Sequence, residues 1–343
     1  MRAALGSYVD DAFGGSRTSH QVASNLIQFI TRAGETMTSI VNVKKTEGPA
    51  RAMVILGLHY CSRSKVCKLD PDKVVRYSER LRLLLYAGNT TSKELERIVG
   101  NLEFAAWVEP FGRPLLSFIA REILPDEPHR SVTLPYFCRV AMRIWLCLLH
   151  RNRGLRFSYI LNNLPLEQRR IYVDAASSGG IGGYASYTYF SVPLRQLGPT
   201  LHRCDGWSAF PRVDIAWLEL FAVFVAVDLF AADSPGHLVI LYSDNTNVVA
   251  WLSRRRPPNP YVCALVAAIE RLKYKFMLKL SVRYIPSSHN VSADLLSRNR
   301  VPRRFVRHGT RVIPDLFRLC AHLRISSIYQ NWSQTILSAS LPL

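Results

Sequence analysis

The stretch RIYVDAASSGG, residues 170–180, decides the fold of the C-terminal half of this chain. It places Asp174 after a β-branched and aromatic run, directly before a cluster of glycines. Residues 171–173 have strand composition, the glycines favour a hairpin turn, and residues 184–192 return as a second strand. We therefore expect Asp174 on a β-sheet, where a buried carboxylate needs a metal ion or hydrogen-bond donors. If Asp174 stands alone, a turn-forming Asp bonded to its own hairpin is the alternative.

An apolar helix with an acidic residue inside it follows the predicted hairpin. Asp214 is a candidate N-cap for the run at 215–232, and Glu219 lies near the start of this run between two leucines. Because a glutamate in so apolar a helix should face a polar site, Glu219 is a second candidate site residue.

Two further carboxylates follow predicted strands. Residues 238–242 form a continuous apolar strand of the parallel type, and Asp244 follows its carboxyl end, where open α/β sheets place ligands. Residues 278–285 have strand composition, and a predicted short helix at 290–298 carries Asp294. Both carboxylates are therefore placed to converge on the first two.

This order of elements, with Asp174, Glu219, Asp244 and Asp294, resembles the ribonuclease H family. The phrase HNVSADLLSR, residues 289–298, also resembles the end of ribonuclease H domains in retrotransposons. The resemblance implies that all four carboxylates are catalytic and bind Mg²⁺ or Mn²⁺, because clustered carboxylates repel one another unless hard divalent cations compensate them. It further implies two-metal cleavage of the RNA strand of an RNA–DNA hybrid.

The same resemblance implies contacts to the nucleic acid from Asn245 and Asn290. One position departs from the family, which often has a His before its last Asp where this chain has Tyr284. Either the nearby His289 takes part in catalysis from the loop, or it is a loop residue without a role and turnover is slower.

The composition is that of a globular protein that binds a polyanion. The 343 residues are 48% hydrophobic, and the chain is long enough for two or more domains. Lys and Arg number 44 against 25 Asp and Glu, and the net charge of +19 favours nucleic acid over a membrane as partner. The 7 cysteines form no C-x-x-C pair, which predicts reduced thiols in an intracellular protein of the cytoplasm or nucleus. The apolar run at 215–232 contains two acidic residues, so it predicts a core helix rather than a membrane span.

A second motif stands at the start of the chain, where SYVDDAF at 7–13 places two adjacent carboxylates between short apolar arms. An amphipathic helix, a pair of lysines and the turn in ILGLHY at 55–60 follow it. This order resembles the second half of a reverse transcriptase palm, whereas a solvated turn is the alternative. The resemblance implies that Asp10 and Asp11 bind metal. It also implies that Lys44, Lys45 and Gly57 contact the nucleic acid.

A complete palm needs a third carboxylate and fingers that would precede residue 1. We therefore expect no DNA polymerisation by this chain unless another polypeptide completes the palm.

The next segment has the signature of helices. A capping box pairs Thr91 with Glu94 at the start of the second one. Its continuation RIVGNLEFAAWVEPFGRP, residues 97–114, resembles the thumb of reverse transcriptases from the DIRS group of retrotransposons, which use a tyrosine recombinase, and more distantly that of hepadnaviruses.

These observations predict an α/β protein in which an α+β palm remnant and a helical thumb precede a ribonuclease H-like mixed sheet with flanking helices. The expected domains are 1–60 for the partial palm, 61–124 for the thumb, 125–168 for a connection, 169–300 for the ribonuclease H-like domain and 301–343 for a basic tail.

The segment 253–283 is strongly basic, with eight Lys or Arg against the single acid Glu270 and aromatic residues between them. Such a segment is either a solvated face or a surface that binds the backbone of the hybrid. We expect phosphate contacts from five of its residues, namely Arg254, Arg255, Arg256, Lys273 and Lys275.

The expected function is that of a ribonuclease H derived from a DIRS-like retroelement, with missing reverse transcriptase and recombinase portions of the same element as further partners. An inactive remnant that only binds nucleic acid is the alternative. A DNA-cutting transposase or resolvase on the same fold is a third reading, which the palm and thumb motifs disfavour.

Overall fold

The computed structural model describes residues 3–8, 11–16, 24, 28, 32, 50–157, 167–197, 214–231, 236, 238–254 and 257–315. The chain divides into two compact units, Met1–Lys73 and Val74–Leu343. The domain boundaries expected from sequence stay predictions. No helix among these residues has the length and apolar character that crossing a lipid bilayer requires.

The first unit contains two sets of antiparallel strands. Strands β1 (Ala3–Tyr8) and β2 (Asp11–Ser16) form a hairpin in which Tyr8 lies opposite Asp11. Strands β3 (Ala52–Ile55), β4 (Leu58–Cys61) and β5 (Val66–Leu69) pair in sequence order. The turn between β3 and β4 has Leu56 and Gly57 at φ 52° and 75°, and glycine adopts this left-handed region without a Cβ penalty.

The second unit begins with helices, as the sequence predicts. They are α1 (Pro71–Ala87), α2 (Ser92–Ala105), α3 (Leu116–Ala120) and α4 (Tyr136–Arg151), with short strands β6 (Asn89–Thr91), β7 (Ser131–Thr133) and β8 (Leu155–Arg156). The predicted cap of α2 is confirmed, because the backbone N–H of Glu94 donates to Thr91 Oγ1 at 3.3 Å.

The rest of this unit is built on a six-stranded mixed sheet. Its strands are β9 (Gln168–Ala176), β10 (Gly180–Ala185), β11 (Thr188–Pro193), β12 (Leu238–Ser243), β13 (Lys279–Tyr284) and β14 (Thr310–Arg311). They lie in the order β13-β12-β9-β10-β11-β14. Strands β9 to β11 are antiparallel neighbours, whereas β12 is parallel to β9 and β13 is parallel to β12. The predicted fold class, a mixed sheet with flanking helices, is confirmed.

The helices of this sheet domain are α5 (Ile215–Ala231), α6 (Thr246–Arg254), α7 (Pro260–Lys275), α8 (Val291–Ser297) and α9 (Arg303–His308). Helix α5 is apolar on all sides and lies inside the largest core, which explains its composition. Its start matches the predicted cap, because the backbone N–H of Ala216 donates to Asp214 Oδ1 at 3.1 Å.

The predicted hairpin turn after Asp174 is present at residues 177–179 and includes Gly179, but the other three glycines of the cluster are not part of it. Gly180, Gly182 and Gly183 lie within β10, and the predicted second strand at 184–192 is broken by a turn before β11. The physical reason is a close approach, since a Cβ on Gly182 would meet the backbone of Leu296 and Ser297. The glycines therefore let the end of α8 lie directly on the sheet.

The helical segment before the sheet domain packs against it. The hydroxyl of Ser117 and the guanidinium of Arg121 donate to the carbonyl of Pro257 at 3.3 Å and 2.5 Å. The rings of Phe111 and Tyr274 meet edge to face with centroids 5.9 Å apart. The predicted thumb therefore contacts the sheet domain through α3, the turn before it and α7.

Candidate active site

Two neighbouring parallel strands bring the carboxylates of Asp174 and Asp244 together. Tyr172 on β9 lies opposite Tyr242 on β12. Because alternate residues of a strand share a face, Asp174 and Asp244, each two residues further on, extend from neighbouring strands toward the same place. Asp244 follows the carboxyl end of β12, where the sequence predicts it.

Helix α5 adds the carboxylate of Glu219 to this pair. The backbone N–H of Ala175 donates to Glu219 Oε1 at 3.1 Å, which fixes this side chain beside β9. Asp174 and Glu219 are buried, with 5% and 4% of their surface exposed, and Asp244 is partly buried. One carboxylate oxygen from each of the three residues lies within 4.8 Å of the others. We refer to Asp174, Glu219 and Asp244 as the carboxylate cluster.

Crowding and burial make the cluster a poor place for negative charge. Burial raises the pKa of Asp174 to about 6, and the charges of Asp244 and Asp294 add to this shift while a hydrogen bond from Ser297 opposes it. Burial also raises the pKa of Glu219 to about 9, with the charges of Asp174 and Asp244 as further causes. A positive charge at the centre would therefore stabilise the ionised cluster.

The donor set fits a hard divalent cation. Carboxylate oxygens are the ligands that Mg²⁺ and Mn²⁺ prefer. Glu219 Oε2 is buried, and no amide, amine or alcohol of the described residues donates to it. Such a buried oxygen is costly unless a cation or a proton satisfies it, so the cluster is compatible with a divalent metal site.

The fourth predicted carboxylate lies nearby but outside the cluster. Asp294 is on α8, and its Oδ1 accepts a hydrogen bond from Arg298 Nε at 2.8 Å within an ion pair. Its side chain is 40% exposed. Its charge still acts on Asp174, whose pKa it raises. The role of Asp294 as a metal ligand stays a prediction.

Two serines that the sequence argument missed contact the cluster. Ser297 is fully buried and donates from Oγ to Asp174 Oδ2 at 2.6 Å. Ser287 donates from Oγ to Asp244 Oδ2 at 2.6 Å. The signal for Ser297 is present in the sequence, because it lies three residues after Asp294 and therefore on the same helical face. Ser287 carries no such signal, since it reaches Asp244 from a loop.

The two predicted asparagine contacts have structural partners. Asn245 Oδ1 accepts from the backbone N–H groups of Asn247 and Val248 at 3.0 Å and 3.3 Å, so it caps α6. Asn290 is 1% exposed and its Nδ2 donates to the carbonyl of Val173 at 2.8 Å. This corrects the expectation for Asn290, because a buried amide that ties the start of α8 to β9 is not on the surface that a nucleic acid meets.

His289 and Tyr284 are both on the surface. His289 is exposed in the short 3₁₀ turn Ser287–His289, and Tyr284 is 53% exposed at the end of β13. Exposure leaves both interpretations of His289 open, and its role stays a prediction.

The predicted basic surface is only partly present. Arg254 and Lys275 are exposed, whereas Arg255 and Arg256 lie outside the described residues. Lys273 differs from the expectation, since it is 6% exposed and its Nζ bonds both carboxylate oxygens of Glu270, at 2.9 Å and 3.0 Å. A buried ammonium that neutralises a buried carboxylate is not available to a phosphate, which corrects the prediction for Lys273.

The palm-like motif is described only in part. Asp10, Lys44 and Lys45 lie outside the described residues, and of Asp11 the structure describes the strand but not the side chain. Gly57 lies in the β3–β4 turn, where a Cβ would meet the side chain of Lys73. The metal-binding and nucleic-acid roles of these five residues stay predictions.

No protein-family model and no curated protein matches this chain. Among solved structures, it is similar to ribonuclease H1 from the halophilic archaeon Halobacterium salinarum NRC-1, with 15% identity, coverage of 38% of this chain and 93% of that chain, and a TM-score of 0.28. It is also similar to a foamy viral protease-reverse transcriptase bound to double-stranded DNA, with 14% identity, coverage of 82% and 46%, and a TM-score of 0.36. The complex of the foamy viral enzyme with an RNA/DNA hybrid gives 13% identity, coverage of 81% and 35%, and a TM-score of 0.36. This chain thus spans less than two thirds of either foamy viral chain.

Proposed function

We propose that this chain is a ribonuclease H derived from a DIRS-like retroelement, which cleaves the RNA strand of an RNA–DNA hybrid with divalent metal ions. The observation that carries the proposal is the convergence of three carboxylate oxygens within 4.8 Å, two from neighbouring parallel strands and one from the helix packed on the sheet. The palm-like and thumb-like motifs upstream support a retroelement origin.

The residues of the cluster share one task in this proposal, which is to hold the metal ions. Asp174, Glu219 and Asp244 would hold Mg²⁺ or Mn²⁺, and Asp294 would join them once its oxygen leaves Arg298. Such ions, held by these carboxylates, would supply the activation of a water and the stabilisation of the leaving oxygen of a phosphodiester. Burial of Asp174 and Glu219 excludes competing water and strengthens their attraction for a cation.

The exposed guanidinium of Arg298 has a further task. It lies beside Asp294 at the rim of the site, where it would pair with a phosphate of the substrate. Release of Asp294 and capture of a phosphate would then occur together.

A labelled RNA–DNA hybrid tests the proposal. The purified full chain should cleave the RNA strand with Mg²⁺ or Mn²⁺ and stop when a chelator is added. Asp174→Asn should reduce cleavage by at least about a hundredfold, because charge-stabilising groups of an active site contribute on that order. Asp126→Asn, which removes an exposed carboxylate outside the sheet, is the matched control and should cleave like the parent.

The position of Asp294 favours the alternative of an inactive binding remnant, since one of the four expected carboxylates is engaged by Arg298. This alternative predicts that the parent binds the hybrid but leaves it intact with either metal. Cleavage that persists undiminished in Asp174→Asn would instead show that the assigned cluster is not the active site.

A further inference from the structure

A cross-strand row of side chains lies beside the carboxylate cluster and has no task in the proposed reaction. Arg283 on β13 lies opposite Tyr242 on β12, Tyr242 lies opposite Tyr172 on β9, and Tyr172 lies opposite Tyr184 on β10. The three tyrosine rings are stacked, with centroids 4.8 Å apart in both neighbouring pairs. Because the ring faces contact each other, the row presents its hydroxyl ends and ring edges to a partner.

One end of this row is closed. Tyr184 is 8% exposed and packs against Phe305 of α9, with ring centroids 5.4 Å apart. The guanidinium of Arg304 lies 4.2 Å from the centre of the Tyr184 ring and forms a hydrogen bond with its hydroxyl. This end therefore belongs to the packing of α9 on the sheet.

The other end is open and basic. Tyr172 and Tyr242 are partly exposed, and Arg283 is exposed. Arg170 is also exposed, and it shares the face of Tyr172 because it lies two residues before it on β9. We refer to these four residues as the tyrosine–arginine row. It offers two phenol hydroxyls and two guanidinium groups on one face of the sheet.

The row continues the face that carries the cluster. Tyr172 precedes Asp174 by two residues on β9, and Tyr242 precedes Asp244 by two residues on β12. At about 3.3 Å per strand residue, the backbone of the two tyrosines lies about 7 Å along the strands from that of the two aspartates. A duplex advances about 3.4 Å per nucleotide, so a strand that runs along this face would meet the tyrosines roughly two nucleotides, and Arg170 roughly four nucleotides, from the site of cleavage.

We propose that the tyrosine–arginine row binds the sugar–phosphate backbone of the nucleic acid whose scissile bond lies at the carboxylate cluster. The inference rests on the proposed function, which places a nucleic acid at this face. Guanidinium groups pair with phosphate charges, and phenol hydroxyls donate to phosphate oxygens without reading the base. The row thus serves as a sequence-tolerant clamp that sets where the strand crosses the cluster.

Two double variants separate the charges from the hydroxyls. Arg170→Gln with Arg283→Gln removes the guanidinium groups, and Tyr172→Phe with Tyr242→Phe removes the hydroxyls but keeps the stacked rings. Each is made in the full chain carrying Asp174→Asn, so that a fluorescent RNA–DNA hybrid stays intact in Mg²⁺. Fluorescence anisotropy at several salt concentrations then gives affinity and its salt dependence, and circular dichroism checks the fold.

The two double variants should both weaken binding, but only the arginine variant should change its salt dependence. Loss of two phosphate contacts should lower the slope of log affinity against log salt by about 2, with at least about tenfold weaker binding at low salt. Loss of the hydroxyls should weaken binding about threefold to tenfold with the slope unchanged, because neutral hydrogen bonds release no counterions.

Matched controls come from the same chain. Tyr184→Phe removes the hydroxyl that Arg304 already occupies, and Arg82→Gln removes an exposed charge on α1 outside the sheet. Both should bind with the affinity and slope of the parent.

The outcome for the row is independent of the outcome for catalysis. An unchanged slope in the arginine variant, or parental affinity in the phenylalanine variant, would overturn the row as a backbone-binding surface even if the parent cleaves hybrids. If the parent binds through the row but never cleaves, the nuclease function fails and the surface stands.

Discussion

Ser297 Oγ lies 2.6 Å from Asp174 Oδ2, so a buried alcohol on α8 holds the carboxylate that β9 contributes to the cluster. The contact is possible because Gly182 lies opposite Asp174 on β10 and has no side chain to keep the helix away. The hydrogen bond lowers the pKa of Asp174 against the effect of burial, and it therefore favours the ionised form that a metal ion needs. This makes Ser297 a positioning residue.

Replacing this alcohol tests that role. We expect Ser297→Ala to raise the Mn²⁺ concentration needed for half-maximal cleavage by about tenfold, because a lost hydrogen bond to a charged group costs about 1.5 kcal/mol or more. Ser297→Thr, which keeps a hydroxyl, should recover most of the metal affinity. A titration of cleavage against Mn²⁺ measures both. Ser292→Ala on the same helix is the control, and an equal effect of both alanine variants would contradict a specific role for Ser297.

The close approach of α8 to the sheet gives a second prediction. Gly182→Ala should reduce cleavage sharply and lower the melting temperature, because its Cβ would meet the backbone of Ser297 and push α8 away from Asp174. Gly100→Ala is the matched control, since nothing lies within 4 Å of its Cβ and the change should stabilise α2 by about 0.5–1 kcal/mol. Melting curves and hybrid cleavage test both variants, and full activity of Gly182→Ala would show that the glycine is not required for the contact.

The order of the carboxylates along the chain made the site accessible to sequence reasoning. Asp174 and Asp244 each follow a run with strand composition, and this composition alone places both on or directly after a strand. The contacts of Ser287 with Asp244 and of Gly182 with α8 could not be predicted, because they join segments far apart in the chain. The burial of Lys273 does have a signal, since it lies four residues after Ile269 on the apolar stripe of α7, and a count of positive charges overlooks this position.

The raised pKa of Glu219 predicts that the metal-free protein loses stability as pH rises. The unfolded chain ionises this residue near pH 4, whereas the folded, metal-free chain does so only near its pKa of about 9. The stability that the folded, metal-free protein gains from holding Glu219 protonated is complete below pH 4 and is lost as pH rises toward 9. Glu219→Gln should therefore melt at the same temperature as the parent near pH 4 and at a higher one at pH 8.

Thermal melting in a chelator at both pH values measures this difference. The exposed Glu96→Gln serves as a charge-matched control that should melt like the parent at both. Added Mn²⁺ should stabilise the parent more than Glu219→Gln, since binding to the folded state alone raises stability. A melting temperature of Glu219→Gln that is below the parent's at pH 8 in chelator would contradict the raised pKa of Glu219.

The last prediction separates a structural lysine from a surface one. Lys273→Met should destabilise folding by roughly 3 kcal/mol, because it removes the ammonium that neutralises the buried carboxylate of Glu270, itself 4% exposed. Lys275→Met, two residues on and exposed, should leave stability within about 0.5 kcal/mol. Replacing both partners, as Glu270→Leu with Lys273→Met, should restore most of the loss, since an apolar pair of similar volume is often as stable as a buried ion pair. Chemical denaturation measures all three, and a Lys273→Met protein as stable as the parent would show that the pair contributes nothing to folding.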